Sequence, residues 1–132
     1  MDLEILKIAS NTENNKVVKG FTHSSKLKNP ICGDEMQISI QIVDDNIIDF
    51  GYQCKSCIYC QASVSLLSRN SIDKKILNVK NLLKDLENFF EKEDVIIPKE
   101  WSVLNKIFNK KNISRKECIL LPFKALSKAL NS

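Results

Sequence analysis

The chain has 132 residues, of which 43% are apolar and 27% charged, and a net charge of +4. That length suits one domain, spanning 1–132, that buries a core without metal or disulfide staples, and the composition reads as soluble and globular rather than disordered. No apolar run approaches the roughly 20 residues that a membrane helix needs, and the acidic start MDLEILKIAS has no export pattern, so a cytoplasmic location with no membrane partner is expected.

In chain order, Leu3 with Leu6 and Ile5 with Ile8 predict a helix over residues 2–10, ended by the polar run Asn11 to Asn15. Phe21 to Asn29 has no clear period and precedes Pro30, which suits an extended or looped entry. Residues 36–43 alternate apolar and polar as a half-buried strand does, Asp44-Asp45-Asn46 carries turn chemistry, and residues 47–53 return as its hairpin partner.

After the hairpin the period becomes helical. Cys57 to Leu67 reads as one helix; Asn70-Ser71 interrupts, with Ser71 placed to cap the next. Ile76 to Phe90 sets Val79, Leu82, Leu83, Leu86, Phe89 and Phe90 on one stripe. Pro98 opens a further helix with Trp101, Leu104, Ile107 and Phe108 inside. Residues 109–114 are loop-like, and Cys118 to Leu130 forms a last helix in which Pro122 is tolerable only in the first turn. The plan is α+β: a small antiparallel sheet built on the 36–43/47–53 hairpin, a third strand left open, packed against several C-terminal helices.

The C-terminal half is basic, with 14 cations against 8 acids over residues 69–132. A basic half invites nucleic acid. Yet 18 of the 20 cations are Lys, only Arg69 and Arg115 being Arg, whereas base and phosphate readers favour Arg. With 13 Asn as well, the excess reads as compositional bias and a solvated helix face, with no nucleic-acid partner.

The five cysteines are the chemistry-bearing feature. Five is odd and cytosol is reducing, so metal binding or thiol chemistry is the better reading than disulfides. Cys32-Gly33-Asp34 lies just before the first hairpin strand and Cys57 just after the second, so the pairing brings Cys32, Asp34 and Cys57 to one end of the sheet; Gly33 allows the tight path between two convergent side chains. Cys57 opens a helix, where unpaired N–H groups favour a thiolate. A structural zinc wants four donors; Cys118, near another helix start, is the obvious fourth, although nothing local brings it there. Cys54 and Cys60 extend the run as Cys54-x-x-Cys57-x-x-Cys60 and read as peripheral or packing thiols. Two other classes stay open at this point: a structural zinc module for protein interaction, and a CxxC thiol oxidoreductase using Cys54 and Cys57.

Asn29-Pro30-Ile31-Cys32-Gly33-Asp34 resembles the NPxCGD motif of the U-type iron–sulfur cluster assembly scaffolds. Cys57 followed by Ala62-Ser63-Val64-Ser65 resembles the family's second motif, and Arg115-Lys116-Glu117-Cys118-Ile119-Leu120-Leu121 its third. The likeness runs from about Asn29 to Leu130. It implies that Cys57, rather than Cys54 or Cys60, is the family's second cysteine. The long segment between Cys57 and Cys118, and Glu117 where the IscU type has a His, resemble the SufU branch; the sole histidine, His23, reads as a surface or turn residue. The Gly that usually precedes the second cysteine is replaced, with Lys55-Ser56 ahead of Cys57.

The resemblance implies a metal site of Cys32, Asp34, Cys57 and Cys118, holding zinc or a [2Fe–2S] cluster. It implies Cys118 as persulfide acceptor, a cysteine desulfurase as sulfur donor, and cluster recipients or other scaffold proteins as partners. The role is that of scaffold or sulfur carrier rather than a true enzyme, with sulfurtransferase activity left open.

Overall fold

In the computed structural model, which describes residues 2–131, Asp2 caps the first helix, α1 (Leu3–Ala9), its carboxylate accepting from the N–H groups of Glu4 and Ile5. Three strands follow: β1 (His23–Lys28), β2 (Glu35–Val43) and β3 (Asn46–Lys55), forming an antiparallel sheet in the order β1-β2-β3. The expected hairpin is β2–β3, with Val43 paired to Asn46. Asp44 and Asp45 take left-handed φ of 50° and 63°, the backbone of a two-residue hairpin turn whose twist matches the strands.

The third strand is real. β1 falls in the segment expected as an extended or looped entry, and its inward row is His23, Ser25 and Leu27, which carries little apolar signal. Ser25 faces inward because its Oγ donates to the carbonyl of Ala125, at 2.6 Å.

α2 (Ile58–Ser71) runs four residues beyond Leu67 and includes Asn70 and Ser71. Ser71 therefore does not cap the next helix; it is fully buried, and α3 (Ile76–Leu86) starts after Lys75 without a side-chain cap. α3 also stops before Phe90. Phe89 and Phe90 leave the helix to stack with Phe108, and Phe108 packs edge-on against Phe123 with centroids 5.0 Å apart.

Instead of the helix expected after Pro98, a 3₁₀ segment spans Lys99–Lys106, with non-helical torsions at Trp101. Trp101, Leu104 and Ile107 are all buried, and their three-residue spacing is the 3₁₀ period of 3 residues per turn rather than the α period of about 3.6. A second 3₁₀ segment, Lys110–Arg115, occupies the stretch read as loop; Asn109 caps it by accepting from the N–H of Lys111.

The last helix, α4, spans Lys116–Leu130 and contains Pro122 in its second turn, not its first. Proline lacks the N–H that would bond the carbonyl four residues back, here that of Cys118. Burial of nearly the whole helix, Ile119 to Phe123 included, outweighs that loss.

One face of the sheet sends Met36, Ile38, Ile40 and Phe50 into a core shared with α2 and α4. The other face is covered by residues 14–18. Here Val18 N–H donates to Ser39 Oγ at 2.9 Å, and the chain comes so close to β3 that a Cβ at Gly51 would sit 2.4 Å from the Lys16 carbonyl oxygen. No described helix is long and apolar enough to cross a membrane.

Candidate metal centre

The turn joining β1 to β2 is held by Asn29. Its backbone N–H donates to Asp34 O and its carbonyl accepts from Gly33 N–H, both at 2.8 Å. Its side-chain Oδ1 accepts from Ile31 N–H at 2.8 Å and Cys32 N–H at 3.4 Å, which leaves Cys32 on an exposed loop of fixed path. Gly33 has φ of 78° with nothing within 4 Å of a built Cβ, so this position requires glycine for its torsion rather than for space.

Pairing of Glu35 with Lys55 then sets the end of β3 beside this loop. Cys57 is the first residue before α2, and its N–H donates to Asp34 Oδ2 at 3.4 Å.

Cys118 is in the first turn of α4 and reaches the same place. The Sγ atoms of Cys32 and Cys118 and a carboxylate oxygen of Asp34 all lie within 4.8 Å of one another. Two contacts hold α4 there. Asn29 Nδ2 donates to Glu117 Oε2 at 3.2 Å, clasping the loop to the residue before Cys118. Ser63 Oγ, from α2, donates to the carbonyl of Ile119, the residue after it, at 2.6 Å.

The hairpin argument from sequence grouped Cys57 with Cys32 and Asp34. The structure brings the Cys118 thiol together with Cys32 and Asp34, while Cys57 adjoins this trio through its N–H to Asp34.

Burial pushes the Cys118 thiol well above its ordinary value, and the neighbouring Cys57 and Asp34 push it further the same way. Without a cation at this spot, Cys118 is protonated at neutral pH. Two thiols and a carboxylate suit zinc and iron–sulfur clusters alike. Donors around a tetrahedral zinc with bonds of about 2.3 Å sit roughly 3.8 Å apart, so a trio within 4.8 Å fits an ion after a contraction of at most about 1 Å.

The other two cysteines stand apart from this group. Cys60 is fully buried in the core and Cys54 half-buried at the end of β3; burial raises both thiols. A disulfide-exchanging thiol needs the opposite shift, which weighs against a thiol oxidoreductase built on Cys54.

Asn29, Ser63 and Glu117 received no positional role in the sequence reading. Their signals were present: an Asn followed by a turn whose N–H groups it can satisfy, and serines within a buried helix. Ser65 completes the picture, its Oγ donating to the Asn11 carbonyl at 3.0 Å, so both serines of Ala62-Ser63-Val64-Ser65 fasten α2 to its neighbours.

The family pattern described as "NifU-like N terminal domain" matches residues 3–99. The match stops ahead of Cys118, so the approach of that thiol is a result of geometry alone. An uncharacterized protein of Borreliella burgdorferi is 33% identical over 129 residues, covering 90% of this chain and 82% of that protein. The iron–sulfur cluster assembly scaffold protein IscU of Thermotoga maritima is 27% identical over 103 residues, covering 78% and 72%. The fold is shared with a Fervidobacterium islandicum protein named as an iron–sulfur cluster assembly scaffold for the SUF system, with a TM-score of 0.88, 22% identity and 98% and 96% of the two chains covered. The chain belongs to the NifU-like N-terminal domain family, that of the U-type iron–sulfur cluster assembly scaffolds.

Proposed function

We propose that this protein accepts sulfur from a cysteine desulfurase and holds it, with iron, as a nascent [2Fe–2S] cargo between Cys32, Asp34, Cys57 and Cys118 before passing it to a recipient protein. The observation that carries this reading is the meeting of residues 32, 34 and 118 within 4.8 Å. Packing accounts for the buried Cys118 alone; it does not call for an exposed thiol and a half-buried carboxylate, more than 80 residues away in the chain, to converge on it. One carboxylate among thiols also makes the site less closed than four thiolates, which suits cargo that must leave.

Sulfur enters by thiol–persulfide exchange. The Cys118 thiol gives up its proton in the course of the exchange, and the departing donor cysteine supplies a site that takes one up. The thiolate attacks the outer sulfur of the donor persulfide; that S–S bond breaks, a new one forms at Cys118, and the donor cysteine leaves as a thiolate that takes up a proton. No net electron transfer occurs. Cys32, exposed on its loop, closes the site from the solvent side. Zinc fits the same donors; when bound it would keep the thiols deprotonated. The protein acts as a carrier, and a cytoplasmic location keeps its five thiols reduced.

The test is anaerobic incubation of the purified chain with a cysteine desulfurase, cysteine and ferrous iron, following persulfide by mass spectrometry and cluster absorbance together. Persulfide on Cys118, lost in Cys118→Ser, and a transferable cluster are expected. Tight zinc retention with neither product would replace this reading with a structural zinc module.

A further inference from the structure

Between α3 and α4 lies an open groove of about 560 Å³. Its walls carry Lys80 and Lys84 on α3 and Lys124 and Lys128 on α4, all four exposed. Each pair is four residues apart, one helical turn, so each helix presents a rail of positive charge. The floor between the rails is apolar, formed by Leu83, Leu120 and Phe123. Glu87 is the one acid lining the groove among the described residues.

The cations are poorly matched within the protein. Lys124 approaches Glu117 only at 3.9 Å, and Lys128 donates to the neutral carbonyl of Lys26 at 3.1 Å. The groove continues into a smaller cavity of about 210 Å³ that shares Glu87, Leu120 and Lys124, adds the acid Glu91, and ends at Lys116 and Glu117, which precede Cys118 in the chain; the two lysine rails flank the larger groove. From Glu117 to Leu130 the rise of an α-helix gives a length of about 20 Å.

We propose that this groove docks an acidic amphipathic helix of a partner protein, about 13 residues long, its apolar stripe on the floor and its Asp or Glu side chains along the two lysine rails. Helix-in-groove recognition lays an apolar helix face into an apolar trough, and flanking lysines select a partner of opposite charge. Nucleic acid has no apolar stripe for a Leu and Phe floor, and its phosphates favour Arg. A second copy of this chain would set lysines against lysines in a protein already at +4. The partner's end would lie beside the cysteine site, but the docking does not depend on what that site carries.

The experiment titrates the ¹⁵N-labelled full chain with a synthetic 16-residue helical peptide bearing a Leu stripe flanked by Glu, at low salt. The controls are the same stripe flanked by Lys, a 16-mer duplex DNA, and sedimentation of the chain alone. Shifts confined to α3 and α4 are expected, with a Kd that rises at least tenfold in Lys80→Glu/Lys84→Glu and several-fold in Lys124→Gln/Lys128→Gln, and that weakens with salt. Equal affinity for the Lys-flanked peptide, shifts elsewhere, or charge reversal without effect would overturn the proposal. So would tighter binding of DNA, or a concentration-dependent dimer that protects the groove from hydrogen exchange.

Discussion

Asn29→Ala is the most informative single change. Asn29 is 6% exposed, and its side chain makes three hydrogen bonds: from Ile31 N–H at 2.8 Å, from Cys32 N–H at 3.4 Å, and to Glu117 Oε2 at 3.2 Å. The first is a neutral bond of good length, about 1 kcal/mol; the second is weaker; the third involves a charged, half-buried acceptor and contributes about 1–1.5 kcal/mol. Together the loss is about 3 kcal/mol, and at this chain length Tm should fall by roughly 10 °C. Residues 31–34 would also lose the path that aims Cys32 and Asp34 at Cys118, so zinc affinity should drop by about 10–100-fold, the usual cost of losing a group that orients a ligand. Thermal unfolding in chelator gives the first number and competition with a chromophoric zinc chelator the second. A double-mutant cycle with Glu117→Gln should return a coupling of about 0.5–1 kcal/mol. Lower stability with unchanged zinc affinity would refute the idea that the clasp positions the site, and a coupling of zero would show that the two side chains do not act together.

Ser63→Ala leaves the Ile119 carbonyl without the donor it has at 2.6 Å, next to a helix segment already weakened by proline; urea denaturation should show a loss of about 1–2 kcal/mol. Gly33→Ala meets no atom within 4 Å but forces an L-residue to φ of 78°, so about 1–2 kcal/mol of strain should appear in the same assay, with weaker zinc binding. Cys60 and Cys118 hold their protons in the folded chain above the ordinary thiol value of 9.0 because burial raises them. The unfolded chain releases those protons first, so stability in chelator should be flat below pH 9 and fall above it by up to about 1.4 kcal/mol per pH unit for each thiol; urea midpoints from pH 7.5 to 10.5 measure this, and Cys60→Ala should make the fall shallower.

The hairpin was legible because residues 36–43 alternate apolar and polar side chains over one covered face. β1 was not, because its inward row relies on Ser25 meeting a distant helix carbonyl, a contact no local period records. The segment after Pro98 held a three-residue apolar spacing that was read as a helical face, although three is the 3₁₀ repeat. The α3 stripe overruns the helix because Phe89 and Phe90 fit it, while the ring both pack on, Phe108, lies 18 or more residues away. The site divided in the same way. Cys32 and Asp34 followed from strand pairing, whereas the arrival of Cys118 depends on Asn29–Glu117 and Ser63–Ile119, contacts between segments 56 to 88 residues apart.

The proline in α4 has a mechanical consequence. Pro122 has no N–H to offer the Cys118 carbonyl, so the helical ladder lacks a rung directly under the cysteine that faces Cys32 and Asp34. The first turn of α4 is anchored instead by two side chains, Asn29 from the loop and Ser63 from α2. Release of those two latches would let Cys118 pivot outward on a ready-made joint while Ala125 to Leu130 stay seated against the sheet.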